Sequence, residues 1–183
     1  LVRIPGWARG EVAPGDLYQY ATKADGKWFV TVNGKAVESE LVNGGYVALS
    51  NVRKGDVIRV HLDMPARLVK ANDRVADDRG RLAVERGPLV YCAEKVDNAA
   101  DIPATYLRPD AQFEVEADKQ IVNTEADGKS FGVTAPTTAD ALTRNADGTL
   151  AVKPTTLTLI PYYAWGHRGG DVMQVWLRSD VNE

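Results

Sequence analysis

The sequence has 183 residues, 44% of them hydrophobic and 26% charged, with a net charge of -3. Those proportions exclude a disordered chain, and the mixed signs leave no basic stripe for nucleic acid. No apolar run approaches the ~20 residues that a helix needs to cross a bilayer, and the single cysteine, Cys92, excludes an internal disulfide or a zinc site built from several cysteines.

The opening Leu1-Val2-Arg3-Ile4 has neither an initiator Met nor a leader, and it reads as the middle of a strand. The expectation is a part of a longer protein, with a strand edge left open where an upstream neighbour is missing. Pro5-Gly6 then ends that first strand, because Pro brings no ladder donor and Gly permits a bend. Trp28, Val30 and Val32 alternate with Phe29 and Thr31, which assigns Trp28 to the core. Asn33-Gly34 supplies the two positive-φ residues of a type I′ hairpin. Asp25-Gly26, Asn43-Gly44-Gly45, Asp127-Gly128 and Asp147-Gly148 repeat the turn signal.

Gly55-Asp56 leads into the clearest alternation of the chain. Ile58, Val60, Leu62 and Met64 are predicted to form a buried face, and Arg59, His61 and Asp63 a wet one. Gly87-Pro88 separates Leu82–Arg86 from Leu89–Ala93 as a kinked strand pair or a bulge. The polar stretch Asp97-Asn98-Ala99-Ala100-Asp101 is a linker or a long loop. Phe113 and Val115 alternate with Glu114 and Glu116. Helical signals are confined to Thr137–Thr143 and to Asn98–Ala104, which Pro103 interrupts, and neither carries an apolar stripe of useful length. Pro161 belongs at a strand edge, so Tyr162–Trp165 is expected to leave the sheet and pack over its end. Met173, Val175 and Leu177 alternate with Gln174 and Trp176. Many short strands with tight turns predict an all-β fold, an antiparallel β-sandwich of jelly-roll type, as one large sandwich or two small packed ones. The expected division is 1–97, a first sandwich lacking its N-terminal strands, and 98–183, a second sandwich or the completion of the first.

Chemistry is sparse. A glycosidase needs two carboxylates about 5–9.5 Å apart, and Glu85 and Glu94 on one apolar segment are the candidates, with strand-face and turn roles as the simpler reading. No Gly-x-Ser-x-Gly elbow, phosphate loop or His-Glu-x-x-His segment occurs. Cys92 has no visible base or metal to make it a thiolate, and His61 and His167 lie too far apart in sequence to read as a metal pair. The catalytic and metal sites of this chain are therefore predicted to be none. Trp7, Trp165, Trp176 and Tyr163 are the candidate sugar-binding aromatics, with packing or interdomain contact as the alternative; Trp176, in particular, falls opposite its apolar neighbours.

Longer strings are more specific. They are Arg3-Ile4-Pro5-Gly6-Trp7-Ala8, Val32-Asn33-Gly34-Lys35, Gly45-Tyr46-Val47, Leu62-Asp63-Met64-Pro65, Ala83 through Glu94 (AVERGPLVYCAE), and Pro161-Tyr162-Tyr163-Ala164-Trp165 with Arg168-Gly169 and Met173-Gln174-Val175-Trp176. This ordered set resembles the C-terminal part of the bacterial β-L-arabinofuranosidases of glycoside hydrolase family 127, over nearly the whole chain. Val52, where a Trp often stands, and Gly166-His167, where Ala-Asn is usual, are departures at surface or turn positions. The resemblance implies an (α/α)-barrel catalytic domain upstream, carrying a zinc-bound cysteine nucleophile and a glutamate acid/base, followed by the β-sandwiches. Cys92 matches the sandwich motif and not that nucleophile.

The implied role is a non-catalytic accessory region that supports the barrel or its oligomerisation, with no cofactor of its own and zinc in the absent domain. A carbohydrate-binding module for arabinose-containing plant glycans is the second reading, and a self-contained glycosidase using Glu85 or Glu94 the third. The expected partners are the catalytic barrel of the same polypeptide, a second copy in a homodimer, and a glycan, with no nucleic acid or membrane. A periplasmic or secreted parent enzyme is the expected setting.

Overall fold

The structure is a computed structural model that describes residues 1–22, 26–124, 128–169 and 172–179. The Asp25-Gly26 and Asp127-Gly128 turns fall at least partly outside those residues.

The N-terminal strands are short: β1 Val2–Arg3, β2 Tyr18–Tyr20, β3 Trp28–Val32, β4 Lys35–Ala36, β5 Leu41–Val42, β6 Tyr46–Val47 and β7 Ile58–Leu62. They form two three-stranded sheets, in the orders β1–β6–β5 and β4–β3–β7, while β2 joins the larger sheet described next. Ile4, Ala8, Val30 and Val47 make the core of this part, with Trp7, Trp28, Leu49 and Leu62 packed against them. Asn33 and Gly34 have φ of 51° and 80°, as the β3–β4 hairpin requires. Asn33 also binds the Gly55-Asp56 turn through its side chain: Nδ2 donates to Asp56 Oδ1 (2.8 Å) and Oδ1 accepts from the Val57 amide (2.9 Å). One residue thus shapes one turn and fixes the other.

The second part contains β8 Ala66–Ala71, β9 Arg81–Arg86, β10 Leu89–Glu94, β11 Thr105–Leu107, β12 Glu116–Thr124, β13 Gly128–Arg144, β14 Leu150–Pro161, β15 Met173–Gln174 and β16 Leu177–Arg178. Six of them close a ring, β9–β10–β14–β13–β11–β16 and back to β9. Strands β8 and β2 continue outward from β9, β15 pairs with β10, and β12 pairs with β13. Every described pairing is antiparallel except β11–β16, which is parallel. The ring is filled by alternate residues: Leu82 and Val84, Tyr91 and Ala93, Leu157 and Leu159, with Leu107, Ala139 and Leu177. The all-β architecture is therefore a jelly-roll-like barrel with flanking strands.

The alternation at 173–177 predicts a single strand, and the structure divides it. A bend at Val175-Trp176 separates β15, which pairs with β10, from β16, which enters between β9 and β11. Met173 and Val175 pack on Cys92, Ile160 and Ala164, whereas Leu177 enters the barrel core. Phe113 and Val115 belong to no strand; Phe113 reaches the barrel core from the segment before β12. Thr137–Thr143 is strand within β13, paired along β14. The Asn98–Ala104 stretch forms only a short 3-10 turn, Ile102–Ala104.

The expected buried face of β7 is only half covered. Leu62 packs on the N-terminal core, but Ile58 and Val60 are each 39% exposed. The cause is position, since β7 is the last strand of its sheet and nothing in the described chain lies over that side.

Residues on either side of position 97 share one sheet, because β10 pairs with β14. The polar connection is held by side chains that replace missing backbone. The Asn98 amide donates to the carbonyls of Glu94 (2.8 Å) and Thr158 (3.0 Å) and accepts from the Thr158 amide (2.8 Å). Lys95 Nζ donates to three carbonyls, those of Asn98, Ala99 and Ala100.

Gly87-Pro88 forms the two-residue loop of the β9–β10 hairpin, with Arg86 opposite Leu89. Gly87 has φ of 59°, and a Cβ there would lie 2.5 Å from Met64 Cε. Gly87→Ala is expected to destabilise the chain by about 1–2 kcal/mol from the left-handed backbone alone, read as a lower urea midpoint at unchanged slope; Pro88→Ala should cost less.

Candidate functional site

Among the described residues, polar and aromatic groups gather in several places, three of which bear on function. The first is an ion cluster at the end of β10. Glu94 is 1% exposed, and both its oxygens are engaged: Oε2 accepts from Arg168 Nη2 (2.7 Å) and Oε1 from the Gly166 amide (3.2 Å). The same guanidinium grips both oxygens of Asp97. The Asp97 and Glu94 carboxylates hold the Arg168 guanidinium above its ordinary pKa, against the opposing effect of burial. The cluster ties the loop after β14 to the end of β10. Above it, the turn Tyr162–Ala164 leaves the sheet after Pro161, as expected from the sequence. Tyr162 and Trp165 stack with centroids 6.2 Å apart, and Tyr162, Tyr163 and Trp165 are exposed.

Cys92 lies beside this cluster, fully buried. Burial pushes its thiol up to about 12, with the nearby Glu94 and Asp97 charges adding to the effect and Arg168 opposing it. Such a thiol stays protonated at neutral pH, and its burial keeps it from solvent. Among the described residues, no three His, Cys, Asp or Glu side chains come close enough to hold a metal ion.

The second place is a cleft of about 740 Å³ between β8, β9 and the Asp73–Gly80 segment. Lys70, Arg79 and Arg81 face Asp73 and Asp78 there, so the two carboxylates offset most of the positive charge. Arg79 Nε donates to the Asp73 carbonyl and Arg81 Nη1 to that of Trp176, so these cations brace the backbone.

The third is a groove of about 260 Å³ on the outer face of the sheet. The bend at Val175-Trp176 sets Trp176 over this face, where it stacks on Tyr18 with centroids 5.8 Å apart. Glu85, on β9, also lines the groove. Its Oε2 accepts from the Tyr20 hydroxyl (3.3 Å). Arg67 stands opposite Glu85 in the β8–β9 register and is 4% exposed. Its guanidinium carbon lies 3.8 Å from the centre of the Tyr20 ring, and Nη2 donates to the Trp7 carbonyl (2.7 Å). Burial raises the Glu85 carboxyl, against the Tyr20 hydrogen bond and the Arg67 charge, and raises the Tyr20 hydroxyl to about 12.

The four aromatics singled out by sequence thus lie in three settings. Trp7 packs against the N-terminal core. Tyr163 and Trp165 share the turn after β14. Trp176 lines the groove, beside Tyr18, Tyr20 and Arg67, which the sequence reading did not select. Glu85 and Glu94 have separate partners. Val90, opposite Glu85, precedes Glu94 by four positions, or roughly 13 Å along a strand, which exceeds the separation of a glycosidase pair.

The sequence profile of the glycoside hydrolase family 127 C-terminal domain matches residues 66–178. The chain belongs to glycoside hydrolase family 127. It is 35% identical to a non-reducing end β-L-arabinofuranosidase of Bifidobacterium longum subsp. longum over 97% of its length, which is 25% of that protein. A solved GH127 β-arabinofuranosidase shares 46% identity and superposes with a TM-score of 0.87, covering 98% of this chain and 27% of that one. A GH127 β-L-arabinofuranosidase from Geobacillus stearothermophilus T6 shares 28% identity with a TM-score of 0.73, over 97% of this chain and 26% of that one. The chain therefore spans about a quarter of the length of these relatives. The family-matched region begins at β8 and contains the complete barrel.

Two outcomes test the ion cluster. Arg168→Ala leaves Glu94 buried without its cation and should cost about 3 kcal/mol, with Arg168→Lys intermediate, by urea unfolding. A thiol reagent at about pH 8 should leave Cys92 unmodified in the folded chain and label it only at the rate of unfolding; rapid labelling without unfolding would contradict its burial.

Proposed function

We propose that this chain is the C-terminal part of a β-L-arabinofuranosidase-like enzyme, where it braces an upstream (α/α)-barrel catalytic domain without taking part in the chemistry. The carrying observation is the match to the family's C-terminal domain within a chain that spans a quarter of its relatives. The uncovered apolar edge of the N-terminal sheet supports this reading, for Val57, Ile58 and Val60 are all exposed on or beside β7. The occupant that this edge fits is the upstream portion of the same polypeptide. Covering it would remove apolar area from water and fix the orientation of the two parts.

The zinc and the nucleophile of this reading belong to the upstream domain. The residues here do not fit such a centre, since Cys92 is buried with a raised pKa and has no second and third ligand among the described residues. No step of the hydrolysis is assigned to this chain.

The test compares this chain with the same protein extended upstream through its reading frame, on a chromogenic β-L-arabinofuranoside. Turnover is expected only in the extended form, and turnover by the short chain would overturn the proposal. The double substitution Ile58→Asp/Val60→Asp should change the stability of the isolated chain by no more than about 0.5 kcal/mol, because both sites are partly open to water. In the extended protein it should lower the melting temperature by several degrees. Equal effects in both forms, or a dimer of the isolated chain that the double substitution dissolves, would show that the edge has another occupant.

A further inference from the structure

The polar floor of the Trp176 groove has no use in the bracing role. We propose that this groove is an ancillary binding site for a neutral sugar ring, which would stack on Trp176 and donate a hydroxyl hydrogen bond to Glu85. The proposal rests on the reading that the parent enzyme handles carbohydrate, and it adds a site distant in role from that chemistry.

The composition of the groove selects the ligand class. Trp176, Val90 and Val175 form an apolar wall that suits the C–H face of a saturated ring. Glu85 supplies the polar end. Its Oε2 is occupied by the Tyr20 hydroxyl, while Oε1 has no hydrogen bond among the described residues and remains an acceptor. A purely apolar ligand would bury that oxygen without a donor. A cation would meet a like charge, because the buried Arg67 stands opposite Glu85 on the same face. An anion would meet the carboxylate. What remains is a neutral molecule with one apolar face and hydroxyl donors at its edge. The volume of about 260 Å³ suits one sugar unit rather than an extended chain.

The site is also built to keep its shape. Arg67 lies against Tyr20 and is anchored on the Trp7 carbonyl, so the support under Glu85 is held by both parts of the chain. Arg81 Nη1 donates to the Trp176 carbonyl (3.1 Å), which helps to fix the bend that carries the indole.

The measurement is saturation-transfer NMR with titration calorimetry, using L-arabinose, D-xylose and D-galactose at millimolar concentration on this chain and on the upstream-extended protein. Binding of at least one sugar is expected in both forms. Trp176→Ala should abolish it, and Glu85→Gln should weaken it about fivefold by exchanging a charged acceptor for a neutral one. Should Trp176→Ala fail to fold, Ala13→Arg fills the groove mouth from an exposed loop and should abolish binding equally. No transfer from any sugar overturns the proposal, as does binding that survives both Trp176→Ala and Ala13→Arg. Binding to the short chain that disappears in the extended protein also overturns it, by showing the groove to be a domain contact. Hydrolysis by the extended protein is read separately, so an active enzyme without groove binding rejects the groove alone, and groove binding in an inactive protein rejects only the assignment of its parent.

Discussion

The barrel depends on its smallest strand. Leu177–Arg178 is two residues long, yet without it β9 and β11 have no common neighbour and the ring stays open. So short a strand carries few ladder hydrogen bonds, and its place is secured by other means. Leu177 is 1% exposed within the barrel core, Arg81 holds the preceding Trp176 carbonyl, and the Ser179 amide donates to the Gly80 carbonyl just beyond. Burial of one leucine and clamps at either end do what length does in the other strands.

Closure also decides where the functional surface lies. The chain must pass from β10, where β15 pairs, to the gap between β9 and β11, and the bend at Val175-Trp176 makes that passage. A residue at such a bend escapes the strict alternation of a strand. The adjacent Val175 and Trp176 therefore both line the groove that has Glu85 at its floor, with Trp176 over Tyr18. The same economy operates at the C-terminal end of β10, where Glu94, Asp97 and Arg168 form a partly buried polar knot with Asn98 standing in for backbone. Cys92 next to that knot is a packing residue whose chemistry is suppressed by its surroundings.

Much of this was legible from the residues. Asn33-Gly34 specified its hairpin because few residue pairs tolerate two positive φ values, and Leu82/Val84, Tyr91/Ala93 and Leu157/Leu159 follow the two-residue period that a one-sided core imposes. What escaped did so for physical reasons. The pattern at 173–177 continues unbroken through the bend, since period two records which side is apolar and not which neighbour the strand has. Ile58 and Val60 carry the alternation of a buried face, yet β7 is the end strand of its sheet and both stay partly exposed, which a two-residue period cannot record. Tyr18, Tyr20 and Arg67 come from distant positions, and Arg67 breaks the usual rule that a lone arginine in a strand faces water; its partners are an aromatic face and a carbonyl sixty residues away. Thr137–Thr143 is too short for periodicity to separate helix from strand, and pairing along β14 decides it.

The position of the closing strand has a consequence for synthesis. Leu177 pairs with Leu82, a residue made long before it, and every other member of the ring precedes it in the chain. As the polypeptide emerges, β9 and β11 must wait with unpaired edges while the whole of β13 and β14 is made, and the loop finally closed is long and entropically slow. The segment from β15 to β16 then acts as a latch, and a ribosome that stalls before it would release a chain with two open sheet edges, which is the form most exposed to aggregation.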